Sequence, residues 1–230
     1  MTHEALTSSR SECAAVGFIP VFPRVASPGM ELSAAAECIF YVKELLTPEL
    51  CPSLIEKYER DPGRRPGHTI GSYGEARRQD PVKHSTDLGI PSQGDWRAAH
   101  DELHERVSHV VLSIAAQFPS LRVWPLRTTG YKIQHYRKDE GYFHWHFDAL
   151  GPGAWERQLA MVAFLNTVQE GGETCFHRQN LRFKPVAGDA LFFPTFWTHM
   201  HCGEVPRSGD KYIVSSFVCF EIPGAAPERA

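Results

Sequence analysis

Beyond Pro125 the chain breaks into short β-branched and aromatic runs, at 128–136, 142–149, 158–166, 173–177, 189–194 and 211–220, with Gly, Pro and Asn between them. Runs of this length and composition read as strands. Ahead of them lies helical patterning. Residues 95–118 place Trp96, Leu103, Val107, Val110, Ile114 and Phe118 on one face, with Asp95 as the expected N-cap and Pro119 as the stop. A shorter helix starts in TPELCPSLIEKYERD, where Thr47 caps, Pro48 fits the first turn and Glu49 suits its positive end. Leu50, Leu54 and Tyr58 give that helix one apolar stripe. The run CIFYVKELL at 38–46 begins as a strand, and 60–94 reads as loop, rich in Gly, Pro and Arg. Helices first and strands afterwards predict an α+β fold. The expected form is a double-stranded β-helix, or jelly roll, with supporting N-terminal helices.

Length and composition narrow the rest. With 230 residues, 42% of them hydrophobic, the chain can bury one sizeable core. The expected organisation is an N-terminal arm over 1–30, a single domain over 31–222 and a tail over 223–230. A formal charge of −3 offers no basic field, so nucleic acid is not an expected partner. No apolar run is long enough for a membrane span, and the first residues lack the pattern of a secretory leader. The six cysteines form no CxxC pair or regular framework and are read as reduced thiols of a cytoplasmic protein.

The stretch GYFHWHFDAL, 141–150, raises the question of function. On a strand, His144, His146 and Asp148 share one face, and Trp145 and Phe147 share the other. The aromatics would pack between layers while the polar side looks into a cavity. An imidazole and a carboxylate two apart can grip one ion. They supply two of the three ligands in the two-histidine, one-carboxylate triad of non-haem iron(II) oxygenases. Alone this is a weak signal. At this composition chance supplies roughly one H-x-D in every two chains.

A third ligand is available in GDALFFPTFWTHMHCGEVPRSGDKYIVSSF, 188–217, as His199 or His201. The strand KYIVSSF follows, headed by Lys211. A buried lysine beside a metal-lined cavity is costly unless it meets an anion. An anionic co-substrate that chelates the metal accounts for both features.

These pieces carry a family resemblance. IQHYRKDEGYFHWHFD, AFLNTVQEGGETCF, GDALFFPTFWTHMHCG and PRSGDKYIVSSF stand in the order found in the prolyl 4-hydroxylase-like branch of the 2-oxoglutarate/iron(II) oxygenases. LLTPELCPSLIEKYER and VKHSTDL resemble that branch's N-terminal helix and the segment after it, so the resemblance spans about 38–220. It implies His146, Asp148 and His201 as iron ligands, His201 being favoured because Lys211 follows it at the family's spacing. It implies that Lys211 pairs with the far carboxylate of 2-oxoglutarate, with Tyr136 and Thr174 as further co-substrate contacts. One departure stands out: many relatives carry tyrosine where this chain has Phe164. The cofactors and co-substrates implied are iron(II), 2-oxoglutarate and O2, with ascorbate as an optional reductant.

The activity implied is hydroxylation of an unactivated C–H bond with release of succinate and CO2. The substrate would be a peptidyl proline, another peptide side chain or a small amino-acid-like metabolite. Arg64, Arg65, Arg77 and Arg78 would suit a substrate carboxylate. The competing readings are a cupin-like metalloenzyme using His144, His146 and His199 or His201, and a non-catalytic jelly-roll binding module with a relic metal site.

Overall fold

The computed structural model describes residues 30–70, 76–78 and 81–221; the arm expected from sequence lies outside them apart from Met30, and the tail lies wholly outside them. In chain order the strands are β1 (Glu31–Ala36), β2 (Ile39–Lys43), β3 (Arg65–Pro66), β4 (His68–Ile70), β5 (Ala76–Arg78), β6 (Lys83–His84), β7 (Thr86–Ile90), β8 (Leu126–Thr128), β9 (Tyr131–Tyr136), β10 (Tyr142–His146), β11 (Arg157–Phe164), β12 (Thr174–Phe176), β13 (Leu181–Phe183), β14 (Ala190–Pro194), β15 (His201–Gly203) and β16 (Lys211–Phe220). Two α-helices interrupt the strands, α1 (Leu50–Arg60) after β2 and α2 (Arg97–Gln117) after β7.

Two antiparallel sheets form the core. The larger runs β1-β2-β14-β11-β16-β9-β7-β3, with β8 beside the end of β16; the smaller runs β13-β12-β15-β10-β6. This is the expected jelly roll. The central strands of the larger sheet are buried on both faces, which is why ALFFP reads as a continuous apolar run rather than an alternating one. Parity sorts the two faces. Leu159, Met161, Ala163, Phe192, Val214 and Val218 belong to one core cluster with Leu54 and Tyr58 of α1 and Leu103, Val107, Val110 and Ile114 of α2. Ala160, Phe164, Leu191, Phe193 and Ile213 belong to a second cluster, which includes Phe176 of the smaller sheet. The helices therefore cover one face of the large sheet, and the space between the sheets lies on the other.

Several expectations need correction. Asp95 is not a cap. It sits inside a 3-10 turn, Gly94–Trp96, that leads directly into α2, and no side-chain cap bond forms there. Thr47 does cap α1, accepting from the Leu50 N–H at 3.1 Å through its hydroxyl. The supposed loop 60–94 contains five short strands, because pairing with β9 and β10 satisfies a backbone whose sequence has little strand character of its own. Strands β1, β13 and β15 carry no strand signal of their own in the sequence; each is short or locally weak, and its partners hold it in place. Among the described residues no helix is long and apolar enough to cross a membrane.

Candidate active site

The site begins with one cross-strand pair. In the smaller sheet His146, at the end of β10, is the Cα partner of His201, at the start of β15. Side chains paired this way stand close, and the two imidazole centroids lie 4.2 Å apart. Asp148 lies just past β10. Its backbone N–H and that of Ala149 both donate to the Thr195 carbonyl, at 3.0 Å each. That clamp turns the Asp148 side chain toward the pair. Its Oδ1 lies 3.7 Å from His146 Nε2 and its Oδ2 3.6 Å from His201 Nε2. The three ligand-capable atoms all fall within 4.8 Å of one another.

The ring orientations follow from local hydrogen bonds. His146 Nδ1 donates to the His144 carbonyl at 2.7 Å, and His201 Nδ1 donates to the His199 carbonyl at 3.0 Å. Each bond fixes the tautomer and leaves the Nε2 lone pair directed at Asp148. Asp148 Oδ2 is buried with no hydrogen-bond partner, an expensive state for a carboxylate oxygen. Burial pushes its carboxyl above the usual carboxylate range, and burial with the neighbouring His201 holds His146 well below the usual imidazole range. Two directed lone pairs and an orphaned carboxylate oxygen fit a divalent cation of the N,N,O type.

The sequence parity fails at one point. The register of β10 shifts between Phe143 and His146, a bulge that re-aims side chains. His144 is therefore exposed and stacks on Tyr142 at 4.3 Å, away from the triad. Phe143 instead stacks on the His146 ring at 3.5 Å. Trp145 does not pack between the layers; it is 45% exposed. His199 is also apart from the triad. Its Nε2 approaches the Glu37 carbonyl and its Nδ1 the Thr198 hydroxyl.

A cavity of about 600 Å³, counting its open mouth, holds the triad together with Lys211, Tyr136 and Thr174. Lys211, Ile213, Ser215 and Phe217 all line it, as strand parity along β16 requires. Lys211 is 3% exposed, and its ammonium donates to the Gly172 carbonyl at 2.6 Å. It lies 5.7 Å from the Tyr136 ring and 5.6 Å from the Phe164 ring. Burial lowers its pKa to about 8. No carboxylate pairs with it among the described residues, so the cavity holds a cationic group suited to an anion. Phe164, fully buried, offers that anion an aromatic face and no hydroxyl.

Tyr136 is the cross-strand partner of Lys211. Its hydroxyl donates to Gln134 Oε1 at 2.7 Å, while Gln134 Nε2 donates to Ser215 at 3.0 Å. Strand parity puts Ser215 on the inward face with Lys211, whereas nothing in the sequence singles out Gln134 although it shares a strand face with Tyr136. Thr174 lies on β12 at the same cavity, 4% exposed. Of the arginines suggested for a substrate carboxylate, Arg64 binds Glu59 and the Asp61 carbonyl, and Arg65 binds two local carbonyls. Neither lines the cavity. The side chains of Arg77 and Arg78 lie outside the described residues.

Residues 131–219 match the profile of the 2OG-Fe(II) oxygenase superfamily. Prolyl 4-hydroxylase 13 of Arabidopsis thaliana is 23% identical over 208 residues, covering 78% of this chain and 70% of that protein. A viral collagen prolyl hydroxylase from Paramecium bursaria Chlorella virus-1, solved with 2-oxoglutarate, superposes with a TM-score of 0.59 at 16% identity, covering 80% of this chain and 96% of that one. A prolyl hydroxylase from Trichoplax adhaerens, solved with a peptide fragment of hypoxia inducible factor, superposes at 0.65 with 12% identity, covering 80% and 84%. Over residues 131–219 the chain thus matches the 2OG-Fe(II) oxygenase superfamily, and the proteins it is similar to in sequence and fold are prolyl hydroxylases.

Proposed function

We propose that this protein hydroxylates a C–H bond of a peptide side chain, with His146, Asp148 and His201 holding iron(II) and Lys211 holding the far carboxylate of 2-oxoglutarate. The observation that carries the reading is the presence, in one cavity, of an orphaned N,N,O donor set and a buried lysine with no anionic partner among the described residues. Iron(II) with bound 2-oxoglutarate supplies the oxidising chemistry, using O2 and releasing succinate and CO2.

The chain's own residues do the positioning. The carbonyls of His144 and His199 accept from the Nδ1–H of each imidazole and leave Nε2 as the nitrogen free to ligate a metal. Asp148 is the single anionic group of the three. Lys211 orients the co-substrate by charge, and its surroundings strengthen that attraction by excluding water. Tyr136 and Thr174 flank the same space. Phe143, Phe193, Ile213 and Phe217 make the remaining wall largely apolar, which limits water at the reacting atoms.

A peptide substrate is favoured over a free metabolite by the surface around the ligands. Trp145 precedes His146, Met200 precedes His201, and Phe196 and Trp197 follow the Thr195 that clamps Asp148. All four are exposed, Trp197 at 70%. Exposed apolar side chains next in the chain to the ligands suit contact with an extended peptide more than with a small polar molecule. The relatives named as collagen and hypoxia-inducible-factor hydroxylases point the same way.

The test incubates pure protein with iron(II), 2-oxoglutarate and O2 and follows succinate together with the weak visible charge-transfer band of the assembled site. Proline-containing peptides are then screened for the gain of one oxygen atom. Absence of both succinate and the band would defeat the reading. Oxygen gained only by free amino acids would leave the hydroxylase and remove the peptide.

A further inference from the structure

A second cluster of metal-capable groups lies beside the cavity. Strands β12 and β15 place Cys175 directly opposite Cys202, so both thiols leave the same face of the sheet. Glu204 lies two residues beyond Cys202 and returns to that face. The Glu204 backbone N–H is fixed on the Glu173 carbonyl at 2.9 Å, and Cys175 Sγ lies 3.8 Å from Glu204 Oε1. The two sulfurs and a carboxylate oxygen all fall within 4.8 Å of one another. Both cysteines are buried, Cys175 at 2% and Cys202 at 7% exposure, while Glu204 is exposed. Cys202 and Glu204 also line the cavity, which gives an ion a way in.

We propose that Cys175, Cys202 and Glu204 form a second cation site, for a thiophilic divalent ion such as zinc. Two features favour an ion over a bond between the thiols. Directly opposed strand residues hold their Cβ atoms at roughly 4.5–5.5 Å, beyond the mean span of about 3.8 Å in a disulfide. An ion with metal–sulfur distances of about 2.3 Å bridges the wider gap without moving the strands. Two soft thiolates with one carboxylate form a tetrahedral zinc set once water takes the fourth position.

The present partner of Glu204 is readily displaced. Arg182 lies 3.3 Å from Glu204 and 3.9 Å from Glu173, and its side chain is 60% exposed. An exposed ion pair of this kind contributes little, and Glu173 can retain the guanidinium when Glu204 turns to the ion. The triad offers nitrogen and oxygen, this cluster sulfur and oxygen, so the two sites prefer different metals. An ion here would tie β12 to the strand that carries His201. The proposal stands independently of the iron(II) reading.

The test titrates metal-free protein with cadmium and follows the ultraviolet thiolate-to-cadmium charge-transfer band. It is run on the unaltered chain and on Asp148→Ala, in which the triad is disabled. Both should give the band, saturating at one thiolate-bound ion per chain. Glu204→Gln should weaken binding roughly tenfold or more, since even outer partners of metal ligands are worth that much. Cys175→Ser and Cys202→Ser should each abolish the band. Cadmium NMR of the unaltered protein needs no substitution and should show a resonance in the two-sulfur range. No band, a band undiminished in the cysteine variants, or only nitrogen–oxygen cadmium resonances would overturn the proposal.

Discussion

At the scale of single residues the site depends on charge placed where water is scarce. Lys211 is the sharpest case. Removing one partner of a buried charge pair typically costs about 3–5 kcal/mol, which is roughly 200- to 5,000-fold in affinity. Lys211→Ala should raise the 2-oxoglutarate requirement by that order, measured as succinate formation against co-substrate concentration, while iron still binds. Lys211→Arg should keep part of the function, since the charge persists in a different shape. The same lysine predicts a pH effect. In the ligand-free protein burial holds its pKa at about 8, so the ammonium is lost as pH rises through that value. Affinity for the dianionic co-substrate should therefore fall above about pH 8, read from binding isotherms across pH. The linkage to folding has the opposite sense. The folded pKa is depressed below the unfolded value of about 10.4, so the lysine's burial penalty is full at lower pH and fades as pH rises between the two. The histidines give a cleaner contrast. Asp148→Ala removes the anionic ligand and should abolish iron binding and turnover. His199→Ala should retain iron, because the His199 group that holds His201 is a backbone carbonyl. Equal iron loss in both variants, by metal analysis, would reverse the assignment of His201 over His199.

At the scale of elements the decisive features are a bulge and a close approach. The register shift in β10 takes His144 out of the cavity and sets Phe143 against His146. Strand alternation alone cannot show this, because inserting one residue reverses parity for part of a strand. The turn from β9 into β10 contains Gly141, where a Cβ would stand 2.6 Å from the Cα and Cβ of Tyr136. Backbone cannot yield there as a flexible side-chain end could. Gly141→Ala should destabilise the fold by about 1–3 kcal/mol, in the range for forced overpacking, and loosen iron binding by displacing β10. Urea unfolding and metal titration measure the two effects. Unchanged stability would mean that this turn has room to shift. The short β12 and β15 carry Thr174, His201, Cys175 and Cys202 between them, yet neither has enough length to announce its pairing.

At the scale of the whole molecule the two sheets act as a clamp that ligand binding should tighten. The ligand donors come from β10, β15 and the segment just after β10, and the lysine from β16 in the other sheet. Iron(II) with 2-oxoglutarate, added without O2 at about 100 times its dissociation constant, should stabilise the fold by roughly 2.7 kcal/mol. For a chain of this size that is a rise of about 5–11 °C in Tm. Scanning calorimetry should show the rise in the unaltered protein and its loss in Asp148→Ala; equal rises would place the binding elsewhere. The sequence by itself determined the α+β class, the amphipathic α2 and the strands of the barrel core. It did so because apolar periodicity is a local property that survives without any partner. It also placed His146, Asp148, His201 and Lys211 in a recognisable order, because the spacing between motifs is itself a property of the sequence. Only the tertiary structure decided which side chains meet. The bulge that turns His144 outward, the replacement of an Asp95 cap by a 3-10 turn, the conversion of 60–94 from loop to paired strands, and the facing of Cys175 with Cys202 all depend on backbone partners far away in the chain. A strand's hydrogen bonds, and therefore its register, belong to the pair and cannot be read from one member alone.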